Sequence, residues 1–334
     1  MNIEDFNYFL PKELIAQSPA VPRTSSRLLV IKNDQIEHRH FYDLPDYLQE
    51  GDVLVINETK VIPIKIIGKK QTGGKVELML QPNSKTATVK GKVKINDVLQ
   101  FPKNITAKVK TKKENKITLD FNLPLGKVVQ QIGQLPTPPY IKTPLKKDED
   151  YQTIFAKKDG SFAAPTAGLH FDYDLLEKIQ KKGVKIARIV LHISWDTFLP
   201  VKETEIEKHK MYGEWCEISP ESSKLINQAK RVFVVGTTSL RTLESFADNG
   251  HIYAGRKLTK LFIFPGYKWQ FPYTALITNF HLPKSTLLMM ISAFHNRQKI
   301  LEAYKIAVKE KYRFFSLGDA MLIFHEASKP QKQS

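Results

Sequence analysis

The sequence predicts an α/β main domain, its sheet mostly parallel or mixed and covered by helices, interrupted by a small all-β module. Three observations carry that reading. From Asp172 onward, apolar strand-like runs alternate with segments of helical periodicity; from about Lys65 to Asp120 the apolar runs are short and alternate with polar residues; and Pro136-Thr137-Pro138-Pro139-Tyr140 punctuates the change.

Ahead of the module, Arg27-Leu28-Leu29-Val30-Ile31 and Asp52-Val53-Leu54-Val55-Ile56-Asn57 read as strands, the second entered through the turn residues Glu50-Gly51. Inside it, residues 75–80, 87–90, 105–109 and 117–120 are strand candidates. Turn clusters separate them: Thr72-Gly73-Gly74, Pro82-Asn83-Ser84 and Lys112-Lys113-Glu114-Asn115. That spacing suits a small antiparallel barrel or sandwich. The division expected is residues 1–64 with 136–334 as the main domain and 65–135 as the module. Beyond it, residues 172–182 carry Leu175, Leu176 and Ile179 at helical spacing and stop at Lys181-Lys182-Gly183. Residues 184–192 and 231–235 read as buried strands, and 237–247, 287–294 and 299–311 as helices. Strands alternating with helices imply a helix-covered sheet.

Composition bounds the function. A chain of 334 residues suits two domains, and 42% hydrophobic residues exclude a disordered one. No apolar run approaches the roughly 18 to 20 residues of a membrane span, and the acidic start Met1-Asn2-Ile3-Glu4-Asp5 lacks the features of a signal peptide. A cytoplasmic protein with no membrane partner is expected. The single cysteine, Cys216, permits neither an internal disulfide nor a Cys-based metal site, and argues against a redox role. The net charge of +17 points to a polyanion, with nucleic acid the obvious candidate. Biased genome composition, rich in Lys, Ile and Asn, also produces such a charge. The lysine-rich module either faces nucleic acid or is a solvated β module whose charged edges discourage aggregation.

Three loops that lead into helices could carry chemistry. Val232-Phe233-Val234-Val235-Gly236-Thr237-Thr238-Ser239-Leu240-Arg241 runs from strand to helix. Free N–H groups at that helix start, with the hydroxyls of Thr237, Thr238 and Ser239, would hold a carboxylate or phosphate, and Arg241 adds a bidentate donor. Plain N-capping is the competing reading. Ala163-Ala164-Pro165-Thr166-Ala167-Gly168-Leu169-His170-Phe171 is built of small residues that let a ligand approach the backbone, with His170 at the helix entrance as base or as cap. Thr278-Asn279-Phe280-His281-Leu282-Pro283-Lys284-Ser285-Thr286 gathers amide, imidazole, ammonium and hydroxyls in one stretch. No Walker pattern is present, and His170, His192, His209 and His281 lack metal-ligand spacings.

Taken in order, these segments closely resemble the S-adenosylmethionine:tRNA ribosyltransferase-isomerases of queuosine biosynthesis. The likeness runs nearly end to end. It includes Leu10-Pro11 with Glu13-Leu14-Ile15-Ala16-Gln17, Arg23 and Ser26-Arg27-Leu28, and residues 57–63. It continues through Pro138-Pro139-Tyr140-Ile141, Asp150-Tyr151-Gln152-Thr153, the three loops, Phe264-Pro265-Gly266-Tyr267 and residues 312–321. The resemblance implies an α/β domain with an inserted small antiparallel β-barrel. It also implies transfer and isomerisation of the ribosyl part of S-adenosylmethionine onto 7-aminomethyl-7-deazaguanine at the tRNA wobble position, giving epoxyqueuosine, adenine and methionine. No cofactor or metal is implied beyond S-adenosylmethionine, which is consumed as substrate; the oligomeric state is left open, a monomer among the options.

The implied chemistry begins with removal of the acidified ribose C5' proton, and His170, His281 and Glu214 are the base and acid candidates. Thr237, Thr238, Ser239 and Arg241 suit the methionine carboxylate, and Lys284, Ser285 and Arg313 tRNA phosphate or either ligand. Thr166, Gly168, Asn279, Arg23, Arg27, Tyr140 and Gln152 complete the expected substrate contacts. The chain departs from the family pattern in several places. The usual Leu-His-Val-Gly-x-Gly-Thr-Phe is Leu191-His192-Ile193-Ser194-Trp195-Asp196-Thr197-Phe198, Met-His-x-Glu is Met211-Tyr212-Gly213-Glu214, Ile-Pro-Ala-Arg ends in Lys65, and an Asp is replaced by Thr274. A divergent relative with another RNA acceptor, or a non-catalytic tRNA-binding protein, therefore stands as an alternative.

Overall fold

The structure, a computed structural model, describes residues 1–33, 35–81, 84–143, 145, 147–194 and 203–325. The departures at Trp195 and Asp196 lie outside the described residues. The chain divides into two compact units, residues 1–60 with 139–334, and residues 61–138.

In chain order the strands begin with β1 (Arg27–Lys32), β2 (Gln35–His40), β3 (Asp52–Asn57) and the short β4 (Thr59–Val61). The smaller unit holds β5 (Lys65–Lys70), β6 (Lys75–Leu80), β7 (Thr86–Lys90), β8 (Val98–Gln100), β9 (Thr106–Lys113), β10 (Lys116–Phe121) and the helix α1 (Leu125–Ile132). The larger unit resumes with β11 (Lys158–Ser161), α2 (Tyr173–Lys181), β12 (Lys185–Leu191), β13 (Glu214–Ile218), α3 (Pro220–Asn227), β14 (Arg231–Val235) and α4 (Thr237–Ser245). It ends with β15 (Ala247–Asp248), β16 (His251–Ile252), β17 (Gly255–Thr259), β18 (Ala275–Asn279), α5 (Thr286–Phe294), α6 (Arg297–Lys309) and β19 (Ala320–Phe324).

Nine strands of the larger unit form one sheet in the order β17-β13-β12-β3-β14-β18-β19-β1-β2. The sheet is mixed. β12, β3, β14 and β18 run parallel, as do β19 and β1, whereas β13, β17, β2 and the β18–β19 pair are antiparallel. Successive side chains of a strand point to opposite faces, and the central strands are apolar on both. Val53 and Val55 of β3 enter a core with Leu240 of α4, Met289 of α5 and Tyr304 of α6. Leu54 and Ile56 enter the opposite core, against Leu175 and Ile179 of α2. Each such side chain contributes about 1.5–3 kcal/mol by leaving water, so this register is strongly specified.

The edge strands β2 and β17, and β13 beside β17, were not expected. Each carries charge on an exposed face, such as Glu37 and Arg39 on β2, Glu217 on β13 and Arg256 on β17, and their sequences lack the continuous apolar run of a buried strand. In the smaller unit β10-β7-β6-β5-β8-β9 close into a barrel, filled by alternating residues such as Val76, Leu78 and Leu80 of β6.

Candidate active site

The parallel strands β12, β14 and β18 end at a cavity of about 610 Å³. Ligands of open α/β sheets bind at such strand ends. Residues 163–167, the start of α4 and the stretch from Thr278 to His281 all contribute walls, so the three loops converge in space. A fourth wall, residues 208–212, leads into β13.

Gly236 makes the turn from β14 into α4. Its φ of +87° and ψ of 148° are open to glycine almost alone, and its N–H donates to Ile277 O at 2.8 Å. No side chain caps this helix. Gly236, Thr237 and Thr238 at this helix start line the cavity, and a helix N-terminus attracts anions. Asn57, not anticipated as a site residue, braces the turn. Its Nδ2 donates to Leu191 O at 3.1 Å and to Thr238 Oγ1 at 3.4 Å, and its Oδ1 accepts from Thr59 N and Leu191 N. Ser239 does not join them, because its hydroxyl donates back to Val235 O at 2.7 Å and is wholly buried.

The histidines separate by depth. His281 lines the cavity, with Nε2 2.9 Å from Thr278 Oγ1 and its backbone N–H donating to Tyr304 Oη. Burial pulls its imidazole down to about 3, so it is neutral at working pH. His170 does not line the cavity. It lies behind Asn279, whose Nδ2 reaches both His170 Nε2 (3.1 Å) and the Phe315 carbonyl (3.2 Å). A carbonyl only accepts, so Asn279 must donate; Nε2 is then an acceptor, and Nδ1–H donates to Ser26 Oγ at 2.8 Å. Burial, reinforced by Arg313 and Arg23, pulls His170 down to about 3 as well. Both of its nitrogens are thus engaged by protein, and it sits behind the residues that line the cavity.

His209, weighed in the sequence only as a metal ligand, lines the same cavity, its Nδ1 2.9 Å from Glu203 Oε2. An imidazole oriented by a carboxylate is a familiar proton-handling pair. No periodic pattern marks it, and the short separation from Glu203 was its only signal.

Glu214 begins β13 and Arg241 sits one turn into α4; both line the cavity and form an ion pair with 2% and 5% of their side chains exposed. Glu214 Oε1 also accepts from Ser194 N at 2.8 Å. Burial lowers Arg241 to about 10, which leaves it cationic. Its guanidinium is held by Glu214 at the cavity wall, while Nε has no hydrogen-bond partner among the described residues.

Thr166 and Asn279 line the cavity, and Gly168 lies just behind it, where a Cβ would come within 2.9 Å of Thr153 Cγ2. The remaining expected contacts do not line it. Lys284 pairs with Glu4 at 2.6 Å on the surface, and Ser285 caps α5 by accepting from Leu288 N. Arg313 donates to Leu317 O, Arg23 to Gln152 O, and Arg27 lies 3.6 Å over the Tyr312 ring. Tyr140 supports the wall from outside, bonded to Ser316 and 4.1 Å from the Phe315 ring. Of the departures, Tyr212 lines the cavity, Lys65 pairs with Glu77 in the barrel, and the Thr274 hydroxyl accepts from Val232 N at 3.0 Å. Burial raises the Cys216 thiol to about 11, so it is no nucleophile. Among the described residues no group of three or more His, Cys, Asp and Glu is placed to hold a metal, and no helix is long and apolar enough to cross a membrane.

Comparison with known proteins agrees with this architecture. Residues 3–323 match the family described as "Queuosine biosynthesis protein". An S-adenosylmethionine:tRNA ribosyltransferase-isomerase of Fusobacterium nucleatum subsp. nucleatum is 46% identical, covering 96% of this chain and 97% of its own. One from Desulforamulus reducens is also 46% identical, over 97% and 100%. The crystal structure of the S-adenosylmethionine tRNA ribosyltransferase from Thermotoga maritima superposes with a TM-score of 0.56 at 33% identity, covering 96% of this chain and 99% of that one. The chain therefore belongs to the S-adenosylmethionine:tRNA ribosyltransferase-isomerase family of queuosine biosynthesis proteins.

Proposed function

We propose that this protein transfers and isomerises the ribosyl part of S-adenosylmethionine onto 7-aminomethyl-7-deazaguanine at the wobble position of tRNA, releasing adenine and methionine, in the cytoplasm. The observation that carries the reading is one cavity, of a size suited to a small ligand, that gathers a helix N-terminus and two imidazoles.

The start of α4, with Thr237 and Thr238, takes the methionine carboxylate. Glu214, already neutralised by Arg241, offers carboxylate oxygen to the sulfonium side of the substrate without leaving a bare buried charge. His209 removes the C5' proton, and Glu203 orients the ring and stabilises the imidazolium that forms. His281, neutral and anchored by Thr278, is a hydrogen-bonding partner for the departing adenine. Asn279, fixed by His170 and Phe315 O, shapes the neighbouring wall.

Incubation with S-adenosylmethionine and tRNA bearing the aminomethyl base should release adenine in step with ribosylation of the tRNA. Well-folded protein that releases none would refute the proposal. Tyr212, at the wall where relatives usually carry His, favours a second reading with a different RNA acceptor; adenine release that requires another RNA would establish it.

A further inference from the structure

The barrel unit holds most of the chain's excess charge. Between Val61 and Pro138 there are 15 lysines, no arginine and four carboxylates, a net +11 out of +17. The lysines are unevenly placed. The chain enters and leaves at one end of the barrel, where Lys65 pairs with Gln134 and Leu80 N donates to Ile64 O. The other end carries the β5–β6 and β9–β10 turns and the start of the β7–β8 connection. Three contacts gather them: Val89 N to Asn115 O at 2.8 Å, Lys112 Nζ to Val93 O at 2.9 Å, and Gly91, whose Cβ position is 3.1 Å from Lys75 O.

Lys75, Lys90, Lys92, Lys94, Lys113 and Lys116 are exposed on this free end, and among the described residues none has a carboxylate within ion-pair distance. Of the acids nearby, Glu77 stands opposite Lys90 but pairs with Lys65 at 3.6 Å, Glu114 sits in the β9–β10 turn, and Asp97 is occupied by accepting from Lys94 N at 2.8 Å. Lys113 stands directly opposite Lys116, and Lys69 opposite Lys75. Like charges facing each other across strands are destabilising. Protection of sheet edges does not explain them, because a closed barrel has no edge to protect.

We infer that this lysine-crowned end of the barrel binds the phosphate backbone of the tRNA substrate. The inference rests on the tRNA reading proposed above. Lysines present compact charges suited to phosphate and carry no base code of their own. The exposed large apolar side chains of the barrel are limited to Ile95, so among the described residues the crown offers no exposed aromatic ring on which a base could stack. Its contribution is therefore sequence-independent affinity and orientation, while the cavity of the larger unit reads the acceptor base.

The test compares the full-length protein with a variant carrying Lys90→Gln, Lys92→Gln, Lys113→Gln and Lys116→Gln. Binding of tRNA is measured between low and moderate salt, alongside steady-state adenine release. Loss of four phosphate contacts should make the log–log salt dependence shallower by about 3, at roughly 0.7–0.9 per contact. Affinity for tRNA should fall at least tenfold at low salt, with the KM for S-adenosylmethionine and kcat at saturating tRNA unchanged. A set of Lys→Arg changes at the same positions should bind like the wild type. An unchanged salt slope in the Gln variant, or equal weakening in the Arg set, overturns the inference while leaving the catalytic reading intact. Wild-type protein that neither binds tRNA nor releases adenine overturns both.

Discussion

The guanidinium of Arg241 and the carboxylate of Glu214 form an ion pair sealed in the cavity wall, joining α4 to the first residue of β13. Removing one partner leaves the other as a buried, uncompensated charge, which typically costs about 3–5 kcal/mol. Glu214→Gln is therefore expected to lose stability of that order in urea unfolding. The double variant Glu214→Gln with Arg241→Met should recover most of it, since no charge is left stranded. A single variant as stable as the wild type would show that the pair is energetically uncoupled.

His209 and His281 face one cavity with different partners, a Glu203 carboxylate for the first and a Thr278 hydroxyl for the second, and their variants should differ accordingly. His209→Gln removes the proton acceptor and is expected to lower kcat by about 10²–10⁴-fold with little change in the KM for S-adenosylmethionine. His281→Gln keeps a neutral hydrogen-bonding group and should retain most of kcat. Adenine release under steady-state conditions measures both. A normal kcat in His209→Gln would move the base elsewhere.

How far the sequence could be read depended on whether one physical role dominated each residue. Asp52–Asn57 and Arg231–Val235 were readable as strands because burial on both faces leaves an uninterrupted apolar run. β13 was not, because Trp215 and Glu217 face outward and break the pattern. The three loops were readable as a group through their polar density, but not the depth of each side chain within them. His170 and His281 occupy similar loop positions, yet one stands behind Asn279 and the other at the wall. Ser285 could equally have met phosphate or capped a helix, and the structure uses it as a cap. Asn57 was invisible for the opposite reason: its partners come from β12 and α4, distant in the chain.

Acid should destabilise the fold through the same buried rings. His170 and His281 are held at about 3, below the ordinary 6.5, by burial. Above pH 6.5 both are neutral folded and unfolded, and their contribution is fully present. As pH falls below 6.5 the unfolded chain takes up protons that the native state refuses until about 3. Stability should decline through that window by about 1.4 kcal/mol per pH unit for each ring. His170→Asn should remove one ring's share of the slope, whatever it does to stability at pH 7. An unchanged slope of unfolding free energy against pH would contradict the assignment.

Gly236 separates backbone requirement from space. A Cβ there would meet Ala167 Cβ and Thr238 Oγ1 at 3.6 Å, ordinary contact, so crowding does not forbid a side chain. The backbone does, because φ of +87° with ψ of 148° is strained for any L residue by about 1–3 kcal/mol. Gly236→Ala must either carry that strain or rotate the turn, and rotation displaces the first N–H groups of α4 together with Thr237 and Thr238. Thermal unfolding should show the loss of stability. If the α4 N-terminus holds the methionine carboxylate, the KM for S-adenosylmethionine should rise by an order of magnitude or more, while tRNA affinity stays at the wild-type value. Equal weakening of both substrates would instead mean that the substitution disturbs the whole cavity, and the carboxylate would have to be assigned to another wall.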